Sequence, residues 1–194
     1  MNLVVAVLGD RIRSGDLHDL QIVVASRWTE AAARAAELTV VDLNDVSELD
    51  LAIDGADEID PQGNMIKGGG GALLRERIVL AAGRERLIVA DESKLITTLG
   101  ERWPLPVEVV RFGWRVAEAA LRSIGGSPVL RMDGNDPFVT DEGNLILDCT
   151  FGPIADARSL DQTLRSIPGV MDHGLFLGMT DRFLIGTTHG VQNL

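Results

Sequence analysis

Lys67 opens a run of four glycines, Gly68 to Gly71, and Glu76 follows nine residues after the lysine, in MIKGGGGALLRE. Consecutive glycines cost backbone entropy. In return they let a ligand come close to the main chain and leave N–H groups free to meet an oxyanion or phosphate near a helix start. The run is not a P-loop, because the lysine precedes the glycines and no Gly-Lys-Ser/Thr follows. It is not a dinucleotide fingerprint either, since no GxGxxG follows a first strand. A flexible linker is the bland alternative, but linkers seldom join a polar strand-end loop to a well-patterned helix. Glu76 falls on the first turns of that helix. The helix N-terminus favours its anion, whereas burial would push its pKa up toward a value useful to a base. The sequence leaves that contest open, and for an isolated Glu a solvated surface pair is the default.

Two further segments carry matching chemistry. The strand LDLAID runs into Gly55-Ala56-Asp57-Glu-Ile-Asp, which puts Asp54 and Asp57 at its carboxyl end. Acidic residues form strands poorly, so two of them three apart at a strand tip read as a site, or equally as a solvated turn. Asp91-Glu92-Ser93-Lys94 sits at the carboxyl end of a second apolar strand, where an anionic ligand would meet a cation. Lys67 and Lys94 are the only lysines among 18 basic residues. Lysine is a compact charge that responds to its surroundings, unlike arginine. Asp54, Asp57, Lys67, the glycines, Glu76 and Lys94 are therefore expected on one edge of one sheet.

That expectation rests on the elements. LVVAVL (3–8) suits a buried strand or the apolar side of a helix; the following Asp10-Arg-Ile-Arg favours a helix closed by Gly15. QIVVAS (21–26) reads as a strand, residues 29–38 as an alanine-rich helix with Thr29 as its cap, and TVVDL (39–43) and LDLAID (49–54) as strands. A helix over 72–83 and a strand over 86–91 follow. Such alternation indicates an α/β fold with a Rossmann-like parallel sheet. After Pro104-Leu-Pro106 the order becomes strand 106–110, helix 113–124, strands 128–132 and 144–150, helix 157–166 and strand 170–176, a ferredoxin-like α+β arrangement. FLIGTT (183–188) returns to the first sheet. The predicted organisation is a Rossmann-like catalytic domain, 1–104 with 178–194, carrying an inserted lid, 105–177. Ligands of such sheets bind at the carboxyl ends of the strands.

Composition narrows the class. The chain has 194 residues, 45% hydrophobic, with a formal net charge of −11. That charge argues against a nucleic-acid partner, while locally focused cations can still hold a small phosphate. No apolar run approaches the roughly 20 residues that span a bilayer, and the N-terminus lacks the features of a signal peptide. One cysteine, Cys149, excludes an internal disulfide framework and sits in an apolar strand as inert core. The reading is a cytoplasmic protein with no membrane partner. His18, His173 and His189 have no spacing for a shared metal. Trp28, Trp103 and Trp114 read as packing residues.

DGADEID (54–60), MIKGGGGALLRERIV (65–79), VADESKL (89–95), PLPVEVV (104–110), VTDEGNLILD (139–148) and HGLF (173–176) closely resemble the A-type ribose-5-phosphate isomerases, in order and with similar spacing, from about residue 20 onward. The resemblance implies a Rossmann-like domain with a ferredoxin-like lid, and a homo-oligomer, dimer or tetramer. It implies an aldose–ketose isomerase that interconverts ribose 5-phosphate and ribulose 5-phosphate with neither cofactor nor metal. By motif, Glu76 is similar to the general base, and Asp54, Asp57 and Lys67 to the groups that assist ring opening and steady the enediolate. Asp54, Gly55, Ala56, Asp57, Lys67, Gly68, Gly69, Gly70 and Lys94 are similar to substrate contacts. Family members open with a helix, a strand and a Gly-Thr-Gly-Ser-Thr loop, and VVAVLGDRIRSG is similar to the helix after that loop. The competing expectations are a non-catalytic sugar-phosphate-binding domain and an inactive truncated isomerase.

Overall fold

The computed structural model describes residues 2–193. Five helices lie among them: α1 (Asn2–Arg13), α2 (Arg27–Ala35), α3 (Leu73–Ala82), α4 (Trp114–Ser123) and α5 (Ala157–Arg165). The first confirms the helical reading of LVVAVL. α2 starts two residues earlier than expected, because Ser26 rather than Thr29 is its cap and accepts from the Thr29 N–H at 3.0 Å. Asp156 caps α5 in the same way, accepting from the Ser159 N–H at 2.9 Å. Both use a short polar side chain to satisfy an orphan amide. α3 has no such cap: Ala72 precedes it and offers no acceptor.

The central sheet has the strand order Gly190–Asn193, Arg182–Thr187, Gly83–Asp91, Leu49–Asp54. The last three run parallel, and only the terminal Gly190–Asn193 strand is antiparallel. Ala52, Ile88 and Ile185 point from these strands into a core shared with Leu73 and Leu80 of α3 and with Met65, Phe176 and Phe183. The expected strands QIVVAS and TVVDL contribute less than their patterns suggest. Only Gln21–Ile22 and Thr39–Val40 pair, parallel and with each other alone. Ser26 leaves the strand direction to cap α2, and Asp42 leaves it to accept from the Asn44 N–H at 2.8 Å. A cavity of about 450 Å³ lined by Val23, Val24, Val40, Val41, Ile78 and Val79 lies between this pair and α3.

The second layer is an antiparallel sheet in the order Val170–His173, Leu105–Val109, Leu145–Thr150, Ser127–Leu130. With α4 joining Leu105–Val109 to Ser127–Leu130 and α5 joining Leu145–Thr150 to Val170–His173, it has the predicted ferredoxin-like topology. Val107, Leu147, Leu121 and Leu164 are fully buried in its core. The expected strand 170–176 breaks at Gly174. Leu175–Phe176 instead joins a three-stranded antiparallel ribbon with Met65–Ile66 and Glu58–Ile59, which the sequence patterns do not signal. Gly174 makes the crossing feasible: its N–H donates to Pro106 and its carbonyl accepts from the Lys67 N–H, and a Cβ there would stand 2.3 Å from the Lys67 carbonyl oxygen. The crossing backbone thus lies directly against Lys67. α3 packs on both Leu49–Asp54 and Val170–His173, so one helix touches both sheets.

Candidate active site

Parallel pairing dictates the starting geometry. Asp54 ends its strand opposite Ile88, so the loops after residues 54 and 91 leave the same edge of the sheet. The chain then folds back through the ribbon, because the Asp57 N–H donates to the Ile66 carbonyl at 2.8 Å. This places Lys67 beneath the Asp54–Asp57 loop. α3 begins six residues later and turns Glu76 toward the same point.

The Lys67 ammonium lies 2.8 Å from Asp54 Oδ2, 2.6 Å from the Gly55 carbonyl and 3.2 Å from Glu76 Oε2. The Glu76 contact is close enough for attraction but is not aligned as a hydrogen bond, and Oε2 has no other partner. Only 3% of the Lys67 side chain is exposed. Burial alone would discharge it, but the Asp54 and Glu76 carboxylates outweigh that cost and hold its pKa above the ordinary lysine value. The Phe176 ring lies 5.5 Å from the ammonium and closes its apolar side.

Glu76 resolves the contest that the sequence left open. Burial pushes its pKa up to about 7, against the lowering pull of Lys67 and with help from the charges of Asp54 and Asp57. Desolvation outweighs the pull of Lys67, and the result is a carboxyl that exchanges its proton near neutral pH. Asp57 faces the glycine loop: its Oδ2 accepts from the Gly69 N–H at 2.8 Å. The Gly70 N–H finds no partner among the described residues, and Gly70 is exposed. The loop therefore offers an open amide beside the uncapped N-terminus of α3, a setting suited to an anionic oxygen.

Lys94 belongs to the same edge but stands apart from this cluster. It ends the short turn Glu92–Lys94, which Asp91 caps by accepting from the Ser93 N–H at 2.9 Å. Its ammonium sits 5.7 Å from the Trp103 ring, and no hydrogen bond or ion pair joins it to Asp54, Asp57, Lys67 or Glu76. Gly55 and Ala56 line the turn between the two aspartates, Gly55 through the carbonyl held by Lys67.

Several contributors had no local signal in the sequence. Arg77, next to Glu76 on α3, donates to Asp172 Oδ2 at 2.6 Å and to the carbonyls of His173 and Leu175 at 2.6 and 2.9 Å, and its guanidinium lies 4.0 Å from the Phe176 ring. It pins the strand crossing that carries Phe176 under Lys67. Glu58 is 1% exposed and accepts from the amides of Gly100, Arg102 and Trp103 at 2.6–2.8 Å, which fixes the loop holding Trp103 over Lys94. These partners are 42 to 45 residues from Glu58, beyond any local pattern.

The histidines are dispersed. His18 and His189 are exposed, while His173 is fully buried and its pKa is lowered to about 3, chiefly by burial and then by Arg77 and Arg165. Among the described residues no group of three or more His, Cys, Asp or Glu is placed to hold a metal ion. Cys149 is buried core, with its thiol pushed up to about 12 by desolvation. Of the tryptophans only Trp114 packs against a core; Trp28 is 69% exposed at the start of α2, correcting its reading as a packing residue, and Trp103 covers Lys94. Among the described residues no helix is long and apolar enough to cross a membrane.

Comparison with known proteins identifies the family. Residues 21–190 match the family model of ribose 5-phosphate isomerase A (phosphoriboisomerase A). The chain is 49% identical to ribose-5-phosphate isomerase A of Roseiflexus sp. strain RS-1 over 96% of its length and 81% of the relative's. It is 46% identical to that of Thermomicrobium roseum over 99% and 81%. Among solved structures, ribose 5-phosphate isomerase A of Methanocaldococcus jannaschii superposes with a TM-score of 0.93 at 38% identity, covering all of this chain and 85% of the other. A D-ribose-5-phosphate isomerase in complex with phospho-erythronic acid superposes at 0.96 with 33% identity and the same coverage. A buried lysine between two carboxylates at the foot of a four-glycine loop, set in a sequence and fold shared with these proteins, places the chain in the ribose 5-phosphate isomerase A family.

Proposed function

We propose that this protein interconverts ribose 5-phosphate and ribulose 5-phosphate by moving a proton between C2 and C1 of the open-chain sugar. One observation carries the reading: Glu76, whose pKa is raised to about 7, faces the buried Lys67 ammonium at 3.2 Å. A base poised near the operating pH transfers protons efficiently. A fixed cation beside it stabilises the negative charge that develops as the C–H bond breaks.

In the forward direction the Glu76 carboxylate removes the C2 proton of the aldose, and the C2–H electron pair forms the C1–C2 double bond of an enediolate. The carbonyl electron pair moves onto O1, where the charge meets Lys67 and the glycine-loop amides. Protonated Glu76 returns its proton to C1, and O2 loses its hydroxyl proton as it becomes the ketone oxygen while O1 gains one. Asp54 and Asp57 serve the hydroxyl protons during ring opening and O1/O2 exchange, with Asp54 also keeping Lys67 charged. Gly68, Gly69 and Gly70 border the bound sugar, with Gly55 and Ala56 on the opposite wall. Lys94 holds the anionic end of the substrate.

The relative bound to phospho-erythronic acid supports this assignment, because a four-carbon phosphorylated acid carries the charges that the reacting sugar develops. The same reading treats 1–104 with 178–194 as the catalytic part and 105–177 as the part that covers it. It takes the protein to be a cytoplasmic homodimer or homotetramer that uses no cofactor. The names of the relatives, ribose-5-phosphate isomerase A, favour this reading over a non-catalytic binder.

The test is direct. Glu76→Gln keeps the shape and removes the base, so turnover of ribose 5-phosphate should fall by about 10²–10⁴-fold with the melting transition retained. A variant that still turns over like the parent would remove Glu76 from this role.

A further inference from the structure

We infer that Arg131, on the antiparallel sheet, is a positioning residue that presets the glycine loop for substrate. The inference rests on the isomerase reading of that loop. Arg131 follows the strand Ser127–Leu130, and its own backbone is held on both sides: its N–H donates to the Ile146 carbonyl at 2.9 Å and its carbonyl accepts from the Phe138 N–H at 2.9 Å. Its guanidinium is held as well. Nε and Nη2 donate to the two oxygens of Asp148 at 2.9 and 2.5 Å, a fork that leaves the plane little freedom. The remaining nitrogen, Nη1, reaches more than sixty residues back along the chain and donates to the carbonyls of Gly68 at 2.9 Å and Gly69 at 3.1 Å. Phe138 packs beside it so closely against Gly71 that a Cβ there would meet the ring at 2.4 Å.

These bonds fix more than the carbonyls. In a trans peptide the C=O of one residue and the N–H of the next point in opposite directions. Holding the Gly68 carbonyl turns the Gly69 N–H away from Arg131, and that N–H donates to Asp57 at 2.8 Å. Holding the Gly69 carbonyl does the same for the Gly70 N–H, which no described group satisfies. Four glycines in a row have no side chains to set these planes. One guanidinium, itself set by Asp148, therefore orients both the loop amide that steadies Asp57 and the open amide beside α3. Arg131 touches neither Lys67 nor Glu76, so it acts on the substrate only through the loop amides that it orients.

The experiment compares the 194-residue parent with Arg131→Met, Arg131→Lys and Asp148→Asn. It measures kcat and KM for ribose 5-phosphate across pH, and the Kd of phospho-erythronic acid by calorimetry. Arg131→Met should raise KM and Kd together by about tenfold or more, the scale of losing a preset loop geometry. The pH midpoint of kcat should stay where the parent has it. Arg131→Lys should recover only part of the loss, because one ammonium cannot hold the Asp148 fork and two carbonyls at once. KM and Kd both within about twofold of the parent in Arg131→Met would overturn the inference. If that variant lacks a cooperative melting transition, Asp148→Asn decides by the same criterion, with a rise of about threefold or more expected. A parent that turns over or binds the probe while the variants match it overturns this inference alone. A parent that does neither overturns the isomerase reading, and this inference with it.

Discussion

Glu76, Lys67 and Asp54 form a unit in which each charge sets the next. Lys67 lowers the pKa of Glu76 while burial raises it, and the balance stands at about 7. It follows that kcat/KM should rise with pH through a midpoint near 7, because the base must be deprotonated to act. Lys67→Met removes the one partner that pulls Glu76 down. The midpoint should then move to higher pH, with activity falling by about 10²–10³-fold as the oxyanion loses its cation. A midpoint that stayed or fell would show that Lys67 does not control Glu76. The same shift has a stability consequence. A carboxyl raised from an ordinary 4.5 to about 7 contributes stability that is present below 4.5 and is lost as pH rises through 7. Thermal melts of the parent and Glu76→Gln should therefore diverge in favour of the variant across that window. At this scale the sequence was legible in kind but not in sign. The residue types and spacings of Asp54, Asp57, Lys67 and Glu76 marked the cluster that the fold brings together, yet whether the Glu76 pKa is raised or lowered depended on how deeply its carboxyl is buried.

At the scale of elements, local rules located the helices to within three residues, because caps and turn glycines are local signals. They did less well where tertiary contacts decide. The strands at 21–26 and 39–43 are shorter than expected: pairing stops at Ile22 and Val40, before Ser26 and Asp42 turn to cap the elements that follow. The strand at 170–176 splits because Gly174 allows the backbone to cross from one sheet to the other against Lys67. Glu58 is the clearest case of a carboxylate read as part of a polar motif that turns out to build structure. Its two oxygens accept three amides of the 100–103 segment. Glu58→Gln replaces one acceptor with a donor facing those amides. It should cost about 2–3 kcal/mol, the scale of losing buried hydrogen bonds to a charged group. It should also raise KM, because the loop that sets Trp103 over Lys94 loses its anchor. Denaturant melts and kinetics on the same preparation would test both, and a variant as stable as the parent would reduce Glu58 to a spectator.

For the molecule as a whole, charge governs how an anionic substrate reaches the site. The formal net charge is −11, while the reacting edge carries only two lysines, and Lys67 is already balanced by Asp54 and Glu76. On the proposed function, an incoming sugar phosphate therefore meets repulsion at long range, and the attraction of Lys94 and the loop amides acts only close in. Salt screens the first more than the second, since the Debye length shrinks from about 30 Å at 0.01 M to about 8 Å at 0.15 M ionic strength. The expected outcome is that kcat/KM rises by roughly a few-fold over that range in sodium chloride, with kcat itself nearly constant. This is opposite to an enzyme whose surface steers its anionic substrate inward. A fall in kcat/KM with added salt would mean that positive potential around Lys94 extends beyond the mouth of the site and dominates the approach.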